Sequence, residues 1–329
     1  MKSILRKIAF GCIAFALCPA FGQELSIDIL QQGETYEDSS YYDILQVHDE
    51  YWIAGKYGTL KKYTAAEGLS NITYPSEEVD IYKMDRLGED KIIASGDKGT
   101  VYIHDLKSKT WQTTRVKGYE NACFYNLAVM SESKIYISGG NSKIAHSKKT
   151  IPEGFILESN DGGITWSKIY SNPLKMVWCV KKNPFDEQMY ALMYTINRTH
   201  LYKLVNGDWE KVEKVGNSIF HEIQFESPTS YVATGGWIGK KGRIHYNNRK
   251  VAIQHSGLIW GRTSNEKYEI YPACDGQIVL GNHKGNYKLF GKKLNKQFSI
   301  YEVVFTSERE ALAIGSARTL LKLKIEDSI

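Results

Sequence analysis

Ser159-Asn160-Asp161-Gly162-Gly163-Ile164-Thr165-Trp166 reads as a tight turn that ends on a large aromatic anchor. Ser and Asp side chains accept hydrogen bonds from backbone N–H groups a few residues on, and so hold a turn closed. Gly163 supplies a backbone conformation that residues with a Cβ resist. Trp166 has enough apolar surface to pin the turn against a neighbouring sheet. The stretch predicts a strand–turn–strand unit at the edge of a β-structure.

The sequence on either side follows the same plan. Short runs rich in Ile, Val, Tyr and Thr alternate with clusters of Gly, Asn, Asp and Ser, and helical periodicity is almost absent. A β-run ending in a small residue and glycine recurs as Trp52–Gly55, Ile93–Gly96, Tyr136–Gly139, Val232–Gly235, Ile278–Gly281 and Leu312–Gly315. A degenerate copy, Tyr190–Met193, lies in the middle. The last residues of the copies are spaced by 41, 43, 54, 42, 46 and 34, near the 40–45 residues of a four-stranded propeller blade. The expectation is an all-β, seven-bladed β-propeller of four-stranded antiparallel blades over residues 23–329. Blade seven runs out after three strands, so Leu25–Leu30 is expected to add the fourth and close the ring.

The opening stretch fits S-x-D-x-G-x-T-W at every specified position through Ser159, Asp161, Gly163, Thr165 and Trp166. It thereby resembles the Asp-box, or BNR, repeat of sialidases. With the Gly-x-x-Gly turns Gly55–Gly58 and Gly96–Gly99 and the later Thr110-Trp111, the chain also resembles the photosystem II stability/assembly-factor-like propellers. The resemblance implies a structural role for the box, closing the outer hairpin of a blade, and a binding role for the propeller as a whole.

Residues 1–22 carry Lys2, Arg6 and Lys7, an apolar run Ile8–Leu17 and small residues at Ala20 and Gly22, the pattern of an export signal. The protein is therefore expected to be exported to the periplasm or beyond. Cys18 is preceded by a poor lipobox, so a lipid anchor is not the expectation. Removing this segment changes the net charge from +5 to about +2, which argues against a nucleic-acid binder. Cys123, Cys179 and Cys274 are distant, odd in number and set among apolar residues, as buried thiols are. No cofactor, metal site or membrane span is expected in the mature chain, and a monomer is.

Specific chemistries can be tested by motif. Sialidases need Arg before Ile-Pro, and the corresponding position in Thr150-Ile151-Pro152 is threonine. His221-Glu222 starts like a zinc-protease helix but lacks the second histidine. Two series remain. The turns after the second strand of each blade all carry a cation: Lys56; Lys98; Lys143, Lys148 and Lys149; Arg198; Lys240, Lys241 and Arg243; Lys284; and Arg318. An aromatic stands near the start of each first strand: Tyr42, Tyr82, Tyr125, Trp178, Phe220, Tyr268 and Tyr301. Two insertions, Gly140–Pro152 with His146 and Ser256–Lys267 with Trp260 and Arg262, fall on the same expected face.

Together these predict a basic, aromatic-rich face that binds an acidic protein segment or an acidic polysaccharide without catalysis. The alternative is a polysaccharide lyase, with His255 or His283 beside tyrosine and arginine in an acid–base site.

Overall fold

The computed structural model describes residues 22–35, 39–73, 79–141, 153–196, 198–237, 241–249, 257–291 and 298–327. The segment up to residue 21, expected from the sequence to be an export signal, and Lys143, His146, Lys148, Lys149, Lys240 and His255 lie outside them. Among the described residues no helix is long and apolar enough to cross a membrane.

Seven antiparallel sheets form the blades of a β-propeller, each running from an inner strand A to an outer strand D. Blade one is Tyr41–Val47, Glu50–Gly55, Leu60–Thr64 and Gly68–Asn71. Blade two is Ile81–Arg86, Lys91–Gly96, Thr100–Asp105 and Thr110–Arg115. Blade three is Ala122–Val129, Ile135–Asn141, Gly154–Ser159 and Ser167–Asn172. Blade four is Met176–Lys182, Met189–Thr195, Arg198–Val205 and Asp208–Gly216. Blade five shows Ile219–Phe225, Tyr231–Gly236 and Arg243–Tyr246 among the described residues. Blade six is Thr263–Ser264, Tyr268–Pro272, Ile278–Asn282 and Tyr287–Phe290. Blade seven is Ile300–Phe305, Glu310–Gly315 and Leu320–Asp327, completed by Gln23–Gln31, which pairs antiparallel with Leu320–Asp327. The ring is closed by the N-terminal strand, as expected.

The recurring glycine has a steric cause. In six blades strand A carries a β-bulge near its start, and strand B crosses it there. A Cβ at Gly55 would stand 2.0 Å from the Ser40 carbonyl oxygen, and one at Gly315 2.0 Å from that of Ser299. A side chain is excluded there in the blades that carry the glycine, whereas blade four accommodates Met193 at the equivalent place, opposite Val177. The apolar residues between blades form continuous clusters. One joins Ile93, Val101 and Ile103 of blade two to Phe124, Ile135 and Leu157 of blade three.

Blade six departs from the sequence reading. Ile278–Gly281 is its third strand, not its second, and the supposed insertion before Lys267 contains its inner strand. Ile259 pairs with Ala273, the counterpart of the glycine elsewhere. The strand was hidden because Gly261-Arg262 breaks its β pattern. Arg262 is nonetheless buried, its charge met by Glu226 and Glu269 at 2.7 Å each.

The Ser159–Trp166 turn is built as its residues require. Ser159 Oγ accepts from Gly163 N at 2.8 Å, and Asp161 accepts from Thr165 N at 2.9 Å and from Ile164 N at 3.1 Å. Gly163 has φ +92°, and a Cβ there would press on Ile103. Trp166 donates to Gly163 O at 3.1 Å and packs on the cluster between blades two and three. The hydroxyl and N–H of Thr165, then Ser159, pull the Asp161 carboxyl down to about 2 from 3.8. A depressed carboxyl stabilises the fold above its unfolded pKa, and that contribution is lost as pH falls through the folded value. Asp161→Ala is therefore expected to lower the melting temperature at pH 7. The gap to the wild type should close as pH falls from about 4 towards about 2. Thermal melts across that range test this; a pH-independent gap would mean that the carboxylate's charge is not what holds the turn.

Candidate functional site

The bulges in strand A do more than exclude a side chain. The extra residue they insert is Tyr42, Tyr82, Tyr125, Trp178, His221 or Tyr301, in the six bulged blades. An inserted residue is re-aimed relative to its strand neighbours. All six line the cavity at the channel mouth, where Trp260 of blade six joins them. The seven rings touch in sequence. Centroid separations are 5.5 Å for Tyr42–Tyr82, 6.0 Å for Tyr82–Tyr125, 5.2 Å for Tyr125–Trp178 and 6.4 Å for Trp178–His221. The circle continues with 5.3 Å for the stacked His221–Trp260 pair, 5.1 Å for Trp260–Tyr301 and 5.8 Å for Tyr301–Tyr42. One ring from each blade makes a closed aromatic annulus.

The cavity has a volume of about 620 Å³. A regular ring of these separations spans about 13 Å between opposite centroids, and under about 10 Å between ring surfaces after one van der Waals contact distance is removed. Trp237, on the turn after Gly236, extends the apolar wall outward.

In five of the seven blades the next residue sets a polar layer in the same wall, charged at Asp43, Lys83, Glu222 and Glu302 and neutral at Asn126. Lys83 Nζ lies 2.6 Å from Asp43 and 3.8 Å from Glu302, and Lys181 lies 3.3 Å from Glu222. Asp43 also accepts from Met84 N at 2.6 Å. Burial opposes the Lys83 charge, but Asp43 and Glu302 outweigh it and hold the ammonium well above its usual value. Burial pushes the Glu302 carboxyl up to about 7, against Lys83 and with the help of Asp43 and Glu222. Burial also drives His221 down to about 4, so it is neutral at pH 7. Its Nε2 and the Nε1 of Trp178 are buried without a protein hydrogen-bond partner among the described residues.

The aromatic series read from the sequence thus divides. Tyr42, Tyr82, Tyr125, Trp178 and Tyr301 face the channel. Phe220 and Tyr268 pack in the core between blades, and His221 and Trp260 take their places. A count along the chain cannot see a bulge, so it lands one residue early in blade five and one strand late in blade six. The charged layer also escaped the sequence reading. Its only signal was a charged or polar residue after the aromatic, as in Tyr42-Asp43, Tyr82-Lys83, His221-Glu222 and Tyr301-Glu302.

The cations divide as well. Lys56, Lys98, Arg198, Lys241, Arg243 and Arg318 stand at the turns between strands B and C, at the end of the blades where the annulus opens. Asp80 and Asp97 stand among them, and the blade-six turn carries Asp275. The rim is therefore of mixed sign. Lys284 and His283 lie in the turn between strands C and D of blade six, at the opposite end. His283 Nδ1 is 3.6 Å from Glu269 there, and Arg262 belongs to the same ion cluster rather than to the face.

No protein-family profile matches this sequence. No curated protein is a significant sequence relative. Solved structures do match its fold. Virginiamycin B lyase from Staphylococcus aureus superposes with a TM-score of 0.69 at 10% identity, over 92% of this chain and 99% of the lyase. A structure described as YCF48 bound to D1 peptide gives 0.66 at 11% identity, over 92% and 96%. YCF48 from Cyanidioschyzon merolae gives 0.64 at 12%, over 89% and 98%. The neighbours are β-propellers. At this identity the likeness is one of fold.

Proposed function

We propose that this protein is an exported, non-enzymatic propeller that grips an extended segment of a partner polypeptide at the channel mouth. The closed aromatic annulus carries the reading. Seven rings, one per blade, are turned into the channel at the cost of a β-bulge in six blades, where a core would need none. Aromatic surface in a concave site supplies most of the binding energy of such contacts. An α-helix is about 10–12 Å wide with its side chains and does not fit the opening; an extended chain or a single side chain does. That a YCF48 structure carries a bound peptide is in keeping with this use of the fold.

Lyase chemistry is the second reading, since His221 is neutral at pH 7 and sits among tyrosines. The rest of the site disfavours it. Burial raises Tyr82 and Tyr125 far above the range in which a phenol exchanges its proton easily. Lys83 and Lys181, which would have to neutralise a uronate, are engaged by carboxylates.

A peptide-display selection on the folded protein tests the proposal, with Tyr125→Leu/Trp178→Leu as the counter-target. Selected peptides are expected to bind the double variant at least about thirtyfold more weakly, the loss of roughly 2 kcal/mol typical of an aromatic hot spot. Equal binding to both proteins, or release of unsaturated uronate ends from an acidic polysaccharide, would refute it.

A further inference from the structure

We propose that the group taken into the annulus is a cation, the ammonium or guanidinium of a lysine or arginine side chain on the bound segment. This rests on the channel mouth being the binding site. Two independent features of the cavity agree on the sign of the ligand.

The first is the annulus itself. The face of an aromatic ring carries negative quadrupole potential, and a cation within about 6 Å of ring centroids is attracted to it. With opposite centroids about 13 Å apart, a cation shifted slightly off the axis comes within about 6 Å of two or three neighbouring rings at once. An anion there would meet the same faces unfavourably.

The second is the charge beneath the rings. Asp43, Glu222 and Glu302 line the cavity with Lys83, and Asp85 and Lys181 are coupled to them electrostatically, so among the described residues of this group four are carboxylates and two are ammoniums. The lysines are already paired, Lys83 with Asp43 and Glu302 and Lys181 with Glu222. Carboxylates therefore outnumber ammoniums before a ligand arrives. Side chains of Lys83 and Glu302 remain 24% and 27% exposed, so the layer can be reached from the cavity they line. The Nε2 of His221, buried and without a protein partner among the described residues, adds a polar contact at the level of the rings.

A cation seated here changes the protonation of the layer. Glu302 is surrounded by Asp43, Lys83, Glu222 and Lys181, and burial has raised its carboxyl. A positive charge above it favours the ionised form, so binding near pH 7 should expel a proton. The lysine or arginine stem, three or four methylenes long, would lie along the rings, which suits an amphipathic side chain better than a bare ion.

The test uses three capped pentapeptides identical except for lysine, norleucine or glutamate at the centre. Binding is followed by the indole N–H resonances of Trp178 and Trp260 and by calorimetry in two buffers of different ionisation enthalpy. The lysine peptide is expected to bind at least about tenfold more tightly than the norleucine peptide and to release a proton. Glu302→Gln and, separately, Glu222→Gln should remove most of that preference, and parent-like dispersion of each variant's indole N–H resonances shows that it is folded.

If the norleucine or glutamate peptide binds at the annulus as tightly as lysine does, the cation assignment is wrong while the channel mouth stands as a binding site. If all three leave the indole resonances unmoved, the assignment falls, and the display selection decides separately whether the channel binds a segment of another kind. A lysine preference that survives both glutamine variants would likewise overturn the role given to the carboxylates.

Discussion

Removal of Gln23–Gln31 is expected to lower the melting temperature by on the order of 10 °C and to promote association. This strand is the outer strand of blade seven, although the other three come from the far end of the chain. Its partners run from Gln23 against Asp327 to Gln31 against Leu320. Leu25 is buried, and Ile27 packs on the cluster that contains Leu321, Leu323 and Ile325. Burying two aliphatic side chains is worth about 1.5–3 kcal/mol each, and each ladder hydrogen bond about 0.5–1.5 kcal/mol net. A loss of about 5 kcal/mol corresponds to a fall of about 10–20 °C for a domain of a few hundred residues.

The deletion also exposes Leu320–Asp327 as an unpaired edge, which is a template for another chain. Calorimetry and sizing at two protein concentrations measure both effects. A truncated protein that melts with the parent and keeps the parent's size at both concentrations would show that the ring does not depend on this closure.

The second large effect concerns the ion cluster between blades five and six. Arg262→Met should destabilise the fold by about 3–5 kcal/mol, as loss of one partner from a buried pair does. Glu269 is fully buried and its charge is met chiefly by Arg262 at 2.7 Å, with Tyr246 donating at 2.9 Å and Tyr287 at 3.3 Å. Arg249 stands farther off, at 3.7 Å. Without Arg262 the carboxylate keeps two phenol donors and a distant cation. Arg262 also bonds Gln224 and Glu226, tying strand A of blade six to strand A of blade five.

Because the penalty is that of an uncompensated charge, Arg262→Met/Glu269→Leu should recover a substantial part of the loss. Chemical denaturation of the parent, both single variants and the double variant makes the cycle. A double variant no more stable than the sum of the single losses would refute an energetic coupling of the two charges. None of Arg262, Glu226 and Glu269 lines the cavity, so ligand binding by the folded fraction is expected to persist.

Much of the architecture was legible because it depends on local rules. Ser159, Asp161, Gly163 and Trp166 define a turn whatever surrounds them, and their hydrogen bonds fall as the residue types require. The spacing of glycine at the end of strand B marks the blades because each glycine sits where two backbones meet. The strand missing from the end of the sequence pointed to the one waiting at its beginning. In blade six the same rule failed, since a buried arginine has the appearance of a loop residue until its carboxylate partners are seen.

The annulus marks the boundary between the two kinds of knowledge. The sequence alone determined the blade number and the closing strand, and it singled out Tyr42, Tyr82, Tyr125, Trp178 and Tyr301 as a series and Trp260 as a loop aromatic without deciding whether any of them lines the channel or packs between blades. Only the tertiary structure put His221 and Trp260 in the remaining places and stacked a charged layer against them. A strand pattern assigns side chains to alternate faces, and an inserted residue breaks that alternation without altering composition or period. The sign of the layer was equally out of reach. It depends on which carboxylates and ammoniums of five different blades meet across one channel, and those residues are up to 259 positions apart, from Asp43 to Glu302.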